Sequence, residues 1–441
     1  MEKINLPVQA KIVIDTLTKS GFKAYIVGGI VRDSLLGKQA HDIDITTNAR
    51  PFEVIKLFRD NYTIALTGIK YKTVTVIIDK NPMEITTFRS ESGYEDGRRP
   101  DRVVYETKLE NDLKRRDFTV NAMAYNDKEN LVDLFEGIDD LENKIIRTVG
   151  DPDQRFFEDR LRMLRAVRFC SQLGFTLEEN TKHAIKKDAK LIKSVSVERI
   201  AQEINKIMLQ SDKPSIAFEL MHETGLLKHI LPDIDKMYDF DQQNPYHSKD
   251  LFHHTMEVVD NSEKDVTLRL SALFHDTGKI YTKTVDENGV GHFYGHYEKS
   301  AEIAKIALKK LKYSNEIIKT VSLLCLKHMV QPEQITQKGI RKLIATIGED
   351  KIDLLVKLQK ADSKSTTIGE SSIFGDKVKQ VLSQEHAFSQ NDLALNGNDL
   401  IEMGYKGKKI GEIKKYLFEK VLDEPKLNQR EELIKIVKEN Y

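Results

Sequence analysis

A chain of 441 residues is too long for one ordinary hydrophobic core, so its length predicts two to four domains. Its composition, 40% hydrophobic and 31% charged residues, is that of a soluble globular protein, and the absence of any run of 18 apolar residues excludes a membrane-spanning helix. Basic and acidic residues number 69 each. A nucleic-acid partner would therefore have to be bound by local basic patches rather than by a global positive field.

The N-terminal segment and the two cysteines point to a cytoplasmic protein. Residues 1–20 predict an amphipathic helix rather than a signal peptide. Cys170 and Cys325 lie in apolar helical contexts, where they are most simply reduced core residues.

The segment from Ala24 to Thr46 predicts a strand, a glycine turn and a short helix. Its first residues, AYIV, form an apolar strand that runs into Gly28 and Gly29. Glycines lack a Cβ and let backbone amides approach a phosphate chain. The helix, predicted at Val31–Leu36, directs the positive end of its dipole toward the same place.

Two carboxylates follow this turn in an alternating strand. Asp42 and Asp44 share one face of the strand, while Ile43 and Ile45 point into the core. Paired carboxylates beside a phosphate cradle suit Mg²⁺, which keeps waters and substrate phosphates as its other ligands. Either feature alone is common, as a plain turn or a solvated strand end, but their combination in one unit favours a nucleotide site.

The residues that follow predict a small α+β domain. Strands are expected at Tyr62–Leu66, Thr73–Ile78, Met83–Phe88, Leu131–Phe135 and Ile145–Thr148, with a helix beginning at Pro51. Glu84 is either a third carboxylate near the metal or the partner of an arginine, and we favour the arginine. The polar segment Ser90–Asp112 is long for a connection, which is typical of a functional loop or of a disordered insertion.

A basic segment, Lys114–Arg116, is predicted at the start of the next helix. Three adjacent cations at that position oppose the helix dipole, so helix stability alone does not favour them. They suit a triphosphate, or they form an ordinary basic surface turn.

Asp153–Leu173 predicts one amphipathic helix, whose polar face carries Glu158, Asp159, Arg162 and Arg165. That face is either a solvated surface of i,i+4 ion pairs or a surface that selects nucleotides. Asp159 and Arg162, one turn apart, would present an acceptor beside donors, which matches the edge that cytosine and adenine share. Uracil and guanine show the reverse pattern, and each group left unpaired would cost about 1–3 kcal/mol.

Beyond residue 150, strands are expected only in a hairpin near Gly289–Phe293, so the remainder is predicted to be helical. Histidines and carboxylates recur within it, several of them at helix ends. They are His254, His275, Asp276, His296, His328 and Asp362. A lone histidine on an apolar helix is usually a core residue, but these ligand types converging from several helices predict a divalent-metal hydrolase site.

The motifs of the first half resemble those of a known family. The strings GGIVRDSLLG with DID, RRDFTVNAMA, EDRLRMLRAVRF and ERIAQE are similar to motifs of the nucleotidyltransferase branch that contains tRNA CCA-adding enzymes and bacterial poly(A) polymerases. The resemblance implies an α+β nucleotidyltransferase head domain followed by an all-α neck, an HD-type body and a tail. It also implies template-independent addition and repair of the 3′-terminal CCA of tRNA from CTP and ATP, with release of pyrophosphate.

The resemblance also assigns roles to residues. Asp42 and Asp44 would hold Mg²⁺ and act in catalysis. The implied nucleotide contacts are Gly28, Gly29 and Arg32 for the triphosphate, Arg116 and Asp117 for the ribose, Asn121 for the phosphates, and Asp159, Arg162 and Arg165 for nucleotide selection. In CCA-adding enzymes a flexible loop in the place of Ser90–Asp112 is linked to the final A addition. Addition of A alone, or poly(A) synthesis, is the alternative.

The histidine region resembles the HD superfamily. The residues that match its minimal metal set are His254, His275, Asp276 and Asp362. His296 and His328 would be further ligands or phosphate contacts. The resemblance implies a second divalent metal, such as Mg, Mn or Ni, and either an active phosphohydrolase (a phosphatase or cyclic phosphodiesterase) or a structural domain that carries tRNA.

Four segments are expected from these patterns: a nucleotidyltransferase head at 1–149, a nucleotide-selecting and RNA-binding neck at 150–235, an HD domain at 236–366 and a helical tRNA-binding tail at 367–441. The expected partners are the acceptor arm and 3′ end of tRNA together with CTP and ATP, and no membrane. The expected assembly is a monomer or a homodimer.

Overall fold

The computed structural model describes residues 4–39, 42–93, 102–243, 249–366, 369, 371–384 and 387–441. The chain divides into two compact units, Met1–Pro232 and Asp233–Tyr441. Among the described residues, no helix combines the length and the apolar character needed to span a bilayer. The four-segment division stays a prediction.

The first half of unit one is an α+β domain, as the sequence predicts. Its strands are β1 (Ala24–Val27), β2 (Ile43–Thr47), β3 (Thr63–Ala65), β4 (Thr73–Ile78), β5 (Asn81–Thr87), β6 (Arg89–Ser92), β7 (Arg102–Tyr105), β8 (Met123–Asn126) and β9 (Asn130–Asp133). Its helices are α1 (Val8–Lys19), α2 (Gly29–Leu35), α3 (Pro51–Phe58), α4 (Leu109–Lys114) and α5 (Gly137–Glu142). Seven strands form one mixed sheet in the order β3-β4-β5-β2-β1-β8-β9, and β6 and β7 form a separate ribbon.

Alternation along β1 and β2 separates the core from the site. Ile26 of β1 pairs with Ile45 of β2, and both belong to one hydrophobic core. Val27 belongs to a second core, on the other face of the sheet. Because side chains alternate between the faces of a strand, Asp44 lies on the face of Val27, away from Ile45.

The sequence misplaces the basic segment and misses the strand that follows it. Helix α4 ends at Lys114, and Arg115 is its C-cap. The basic segment therefore lies at a helix C-terminus, where the dipole favours cations, and the predicted helix start is wrong. Beyond it, Met123–Asn126 forms β8 instead of continuing a helix, because its backbone pairs with β1 and β9 and its side chains are buried.

The polar segment Ser90–Asp112 is only partly a loop. Its flanks contribute to β6 and β7, which pair in antiparallel register, and its end lies in α4. Residues 94–101 lie outside the described residues. The expectation that links this segment to the final A addition stays a prediction.

The rest of unit one is helical. Its helices are α6 (Pro152–Glu158), α7 (Leu161–Leu173), α8 (Glu179–Asp188), α9 (Val197–Gln210), α10 (Ser215–Glu223) and α11 (Leu227–Ile230), and the short strands β10 (Ile145–Ile146) and β11 (Thr176–Leu177) pair in parallel. The expectation that strands beyond residue 150 occur only in the hairpin near Gly289–Phe293 is wrong, because β11 pairs with β10. The single helix predicted over Asp153–Leu173 is also wrong. Asp159 has extended backbone angles, φ −146° and ψ 106°, which separate α6 from α7.

Unit two is built from helices. After α12 (Pro232–Asp235) they are α13 (Leu251–Asn261), α14 (Val266–Phe274), α15 (Lys279–Thr282), α16 (His296–Lys310), α17 (Asn315–Lys327), α18 (Gln337–Ile347), α19 (Ile352–Lys364), α20 (Ile373–Leu382), α21 (Gly397–Glu402), α22 (Lys408–Asp423) and α23 (Arg430–Asn440). The predicted hairpin is present as β12 (Thr284–Val285) and β13 (Gly291–His292). Helices α21 to α23 enclose a hydrophobic core of their own, which includes Leu400, Leu417 and Leu433.

Candidate functional site

Most of the predicted nucleotide-binding residues surround one cavity of about 420 Å³ in unit one. They are Gly28, Gly29, Arg32, Asp42, Asp44, Arg116, Asp117, Asn121 and Arg165. Further lining residues, which the sequence does not single out, are Ile30, Asp33, Arg168, Phe169, Gln172, Lys206 and Gln210. We call this space the nucleotide cavity. It unites the glycine turn, the paired carboxylates and arginines that are far apart in the sequence.

Carboxylates gather at this end of the sheet. Asp42 and Asp44 both line the nucleotide cavity, and Glu84 of β5 stands opposite Asp44 in the parallel pairing with β2. Burial raises the pKa of Asp44; the charge of Arg116 opposes this, and the negative charges of Glu84 and Asp42 add to it. Oxygen ligands whose charges repel one another fit a divalent cation such as Mg²⁺.

The position of Glu84 helps to decide whether it is a third carboxylate near the metal or the partner of an arginine. Within the described residues, Glu84 makes no ion pair with an arginine, and its charge acts on Asp44. This geometry supports the third carboxylate over the arginine partner that the sequence favours.

Gly28 leaves little room for a side chain. Its φ of +77° is one that other residues rarely adopt, and a Cβ there would lie 3.0 Å from Arg116 Nη1 and 3.8 Å from Asp44 Oδ2. The glycine thus brings the turn against a cation and a carboxylate. The Nε of Arg116 is buried and has no hydrogen-bond partner among the residues that the structure describes, which is expected of a group that faces a ligand.

A chain of hydrogen bonds links the predicted phosphate and ribose contacts. Arg32 Nη1 donates to Asn121 Oδ1 at 2.6 Å, and Asn121 Nδ2 donates to Asp117 Oδ1 at 3.3 Å. Asp117 Oδ2 in turn accepts from Arg165 Nε at 2.9 Å. Burial alone would raise the pKa of Asp117, but Arg165 holds it well below its usual range. The carboxylate is therefore ionised and fixed in orientation.

Asp112 orients the basic segment and is missed by sequence reasoning. It is fully buried, and its Oδ1 accepts from Arg115 Nη2 at 2.7 Å while its Oδ2 accepts from Thr46 Oγ1 at 3.0 Å. Arg116 Nη2 lies 3.7 Å from the same carboxylate. The only local signal is the spacing of an acid three and four residues before two arginines on a helix.

The predicted HD residues converge in unit two. Asp276 Oδ2 lies 3.3 Å from His275 Nε2 and 3.9 Å from His254 Nε2. Its other oxygen, Oδ1, lies 3.3 Å from His296 Nε2 and 3.4 Å from His328 Nε2. Asp362 Oδ1 lies 3.1 Å from His254 Nε2. The described residues thus offer two candidate metal-binding groups that share Asp276.

The histidine rings are oriented by backbone carbonyls. The Nδ1 atoms of His275, His296 and His328 lie 2.7, 2.7 and 2.6 Å from the carbonyl oxygens of Ala272, Phe293 and Cys325. Donation from Nδ1 leaves a lone pair on Nε2, which is the atom that faces Asp276. In the described part of the chain, the buried Nε2 of His275 makes no hydrogen bond. This donor set, imidazole nitrogens with carboxylate oxygens, fits divalent transition metals.

Comparison with known proteins assigns the family. Residues 24–147 match the Poly A polymerase head domain, residues 174–238 match the probable RNA and SrmB-binding site of polymerase A, and residues 246–366 match the HD domain. The CCA-adding enzyme of Ligilactobacillus salivarius is 35% identical over 433 residues, which cover 97% of this chain and 95% of the relative. The chain belongs to the CCA-adding enzyme family. The resemblance found in the sequence is confirmed.

Other CCA-adding enzymes match in part or in fold. That of Lactobacillus helveticus is 51% identical over 226 residues, 51% of this chain and 55% of the relative, so this match spans about half of the relative's length. The crystal structure of the Bacillus stearothermophilus CCA-adding enzyme in complex with CTP covers 95% of this chain and 93% of its own, with 28% identity and a TM-score of 0.71. The predicted fold class is confirmed by this likeness.

In this member of the CCA-adding enzyme family, two residues predicted to read the base, Asp159 and Arg162, do not line the nucleotide cavity in the described structure. Asp159 is paired with Arg199 of α9, and Arg162 Nη1 donates to Glu158 Oε2 at 2.6 Å. Asp159 lies at the break before α7, and its carbonyl oxygen accepts from the Arg162 N–H at 2.9 Å, so the two residues are still one turn apart although they do not share one continuous helix with α6. The role of the two residues in base selection stays a prediction.

Phe169 is the second feature that sequence reasoning missed. Its ring lines the nucleotide cavity and has three guanidinium groups around it, those of Arg168, Arg32 and Arg165, at 3.9, 5.2 and 5.5 Å from the ring centre. Arg168 is held by Glu203 of α9, with Nε donating to Oε2 at 2.6 Å. Helix α9 thus supports the cavity through Arg168.

Proposed function

We propose that this protein adds C, C and A to the 3′ end of tRNA without a nucleic-acid template, uses CTP and ATP, and releases pyrophosphate. The observation that supports this most directly is the nucleotide cavity, which combines a phosphate-binding turn, paired carboxylates and a fixed ribose-binding aspartate. Poly(A) synthesis and addition of A alone would use the same cavity and are the competing outcomes. The proposed location is the cytoplasm, with tRNA, CTP and ATP as partners.

Each group has a part in this reaction. Asp42 and Asp44, with Glu84 beside them, would hold Mg²⁺, which activates the RNA 3′-hydroxyl and stabilises the leaving pyrophosphate. Arg32 and the turn at Gly28 would bind the triphosphate. The ionised Asp117 accepts hydrogen bonds, so it suits a ribose hydroxyl, including the 2′-hydroxyl that marks a ribonucleotide.

The test is extension of three tRNA transcripts that end before the first C, after CC and after CCA, with each combination of CTP and ATP in the presence of Mg²⁺. We expect C, C and A to be added in order, and no further extension. Addition of A only to the CC-ended transcript, or tailing past CCA, would select one of the competing activities. Asp44→Asn should lower the rate by at least about 100-fold, because a metal ligand is lost while the fold is kept.

We also propose a phosphate-ester hydrolase at the HD residues. The supporting observation is a cavity of about 400 Å³ in unit two that is lined by His328 and Asp362 of the cluster, by apolar residues such as Phe374, and by Lys360 and Lys379. Lys279 lies within the cluster, with Nζ 2.6 Å from Asp276 Oδ2. Metal ligands and cations suit the phosphate of a phosphate ester, and an apolar wall suits the organic group that the phosphate is attached to.

This second activity is tested with metal-loaded full-length protein and p-nitrophenyl phosphate or bis(p-nitrophenyl) phosphate as probes. We expect release of nitrophenolate that Asp276→Asn abolishes and Asp44→Asn leaves unchanged. Absence of turnover with Mg, Mn and Ni would favour the structural interpretation of the domain.

A further inference from the structure

Asp159 and Arg199 form a bidentate ion pair at the break between α6 and α7. Arg199 Nη1 donates to Asp159 Oδ1 at 3.1 Å, and Nη2 donates to Oδ2 at 2.6 Å. The two side chains are 18% and 20% exposed. The backbone N–H of Leu161 adds a further hydrogen bond to Oδ1, at 3.1 Å. The carboxylate is therefore fixed from two directions.

The position of Arg199 is unusual for a residue that only stabilises its helix. It lies in the first turn of α9, which begins at Val197. A cation there opposes the helix dipole, whereas the pairing with Asp159 brings a compensating negative charge to the same helix end. Helix stability alone thus does not favour an arginine at this position, and the pair offers a reason for it.

The pairing limits what Asp159 can still bind. An ionised carboxylate has about four acceptor positions, two on each oxygen, and no proton to donate. Arg199 and the Leu161 N–H occupy both positions on Oδ1, and Arg199 occupies one on Oδ2. Within the part of the chain that the structure describes, one acceptor position remains, on Oδ2. Asp159 can therefore accept a single N–H in a fixed direction.

Arg162 is also held by hydrogen bonds, but some of its N–H donors remain unused within the described structure. Its Nη1 donates to Glu158 Oε2 and to the Arg155 carbonyl, at 2.6 and 3.2 Å, and its Nη2 donates to the Arg115 carbonyl at 2.9 Å. A guanidinium has five N–H donors. The bonds within the described structure leave the Nε–H and one Nη2–H of Arg162 for a base.

We propose that Arg199 is a positioning residue that sets nucleotide specificity, because it leaves Asp159 one fixed acceptor position for the exocyclic amine of cytosine or adenine. This inference rests on the proposed function and on the predicted base-reading role of Asp159. Uracil and guanine place a carbonyl where C and A have the amine, and the fixed carboxylate cannot donate to it. Uracil does carry a ring N–H, which a carboxylate that is free to rotate would accept.

The test measures incorporation of each of the four ribonucleotides, as kcat/KM with the tRNA transcript that ends before the first C. Arg199→Gln removes the bidentate contact, so we expect the ratio of CTP to UTP incorporation to fall by about 10-fold or more. Arg199→Lys keeps the charge but has no planar fork, and should restore the ratio only in part. Arg199→Lys is the milder change. If Arg199→Gln does not fold, the ratio of CTP to UTP incorporation is measured with Arg199→Lys instead.

Arg160→Gln is the matched control. Arg160 is adjacent to Asp159, but its Nη1 donates to Ser194 Oγ at 3.1 Å. Its removal should leave the CTP to UTP ratio unchanged. An equal loss with all four nucleotides in both Arg199 variants, at a constant ratio, would overturn the inference and leave Arg199 a structural role.

Asp159→Asn separates failure of this inference from failure of the base-reading role on which it depends, while the extension assay with wild-type protein tests the proposed function separately. If Asp159→Asn changes the ratio of CTP to UTP incorporation and the Arg199 variants do not, Asp159 reads the base but Arg199 does not position it. If none of these variants changes that ratio, Asp159 does not read the base, and Arg199 has no positioning role in base selection.

Discussion

Asp117 and Arg165, 48 residues apart in the sequence, form an ion pair that joins the α+β domain to helix α7. The side chain of Asp117 is 11% exposed and that of Arg165 is 30% exposed. The same carboxylate accepts from Asn121, so one contact both ties the two parts of unit one together and prepares the proposed ribose site.

This ion pair predicts a pH dependence of stability. Asp117 has a folded-state pKa below its unfolded value of about 3.9. Its contribution is therefore fully present above about pH 4 and is lost as the pH falls toward the folded-state pKa. Asp117→Asn should lower the thermal unfolding midpoint at pH 7 by about 4–8 °C, and the difference from wild type should shrink below pH 4.

The control for this prediction is Asp60→Asn. Asp60 forms an exposed pair with Arg59, and exposed pairs contribute little to stability. A constant difference between Asp117→Asn and wild type from pH 7 to pH 3 would contradict the assignment.

Glu84 is expected to assist metal binding. Glu84→Gln removes one of the negative charges that act on Asp44, so the Mg²⁺ concentration needed for half-maximal nucleotide addition should rise by about 3- to 10-fold. The measurement is a Mg²⁺ titration at saturating CTP. Glu53→Gln, which removes a carboxylate in α3, is the control. An unchanged titration would leave Glu84 without a metal role.

Phe169 is expected to set the spacing of the arginines in the nucleotide cavity. Phe169→Leu removes the ring that three guanidinium groups share, so KM for both CTP and ATP should rise by about 10-fold, and Phe169→Tyr should restore it. Phe58→Leu makes the same change in a buried core residue of α3. If both variants lose stability and neither changes KM, Phe169 is only a core residue.

The HD cluster is expected to bind two divalent ions per chain. Metal analysis after loading with Mn²⁺ should give two ions for wild type, about one for His296→Ala, and almost none for Asp276→Asn, since Asp276 belongs to both candidate groups. His292→Ala is the control, because His292 pairs with Asp286 on an exposed hairpin. A single ion in wild type, unaffected by His296→Ala, would restrict the site to the minimal set.

The two thiols are expected to be unreactive in the folded protein. Burial raises the pKa of Cys170 to about 12, and burial also raises the pKa of Cys325. Because the thiolate is the reactive form, iodoacetamide at pH 8 should label neither cysteine until the protein is unfolded, when both should react. Mass spectrometry of tryptic peptides reads out each site. Rapid labelling of native protein would contradict the burial of that cysteine.

The sequence alone determined the features that depend on near neighbours. The turn at Gly28 and the alternation of Asp42 and Asp44 follow from backbone geometry over a few residues. The placement of His275 at the end of α14 follows in the same way from an apolar helix pattern that stops there. These local rules were enough to identify the α+β class, the glycine turn and the paired carboxylates, whereas the resemblance to the family supplied the other predicted residues of the nucleotide cavity.

Only the tertiary structure decided which distant groups meet. Apolar periodicity continues across Asp159, so the sequence predicts one helix, but the extended backbone there places the carboxylate against Arg199, 40 residues away. Asp112 of α4 accepts a hydrogen bond from Thr46 of β2, 66 residues away in the sequence. Such partners are chosen by packing and charge compensation between elements, which spacing along the chain does not encode.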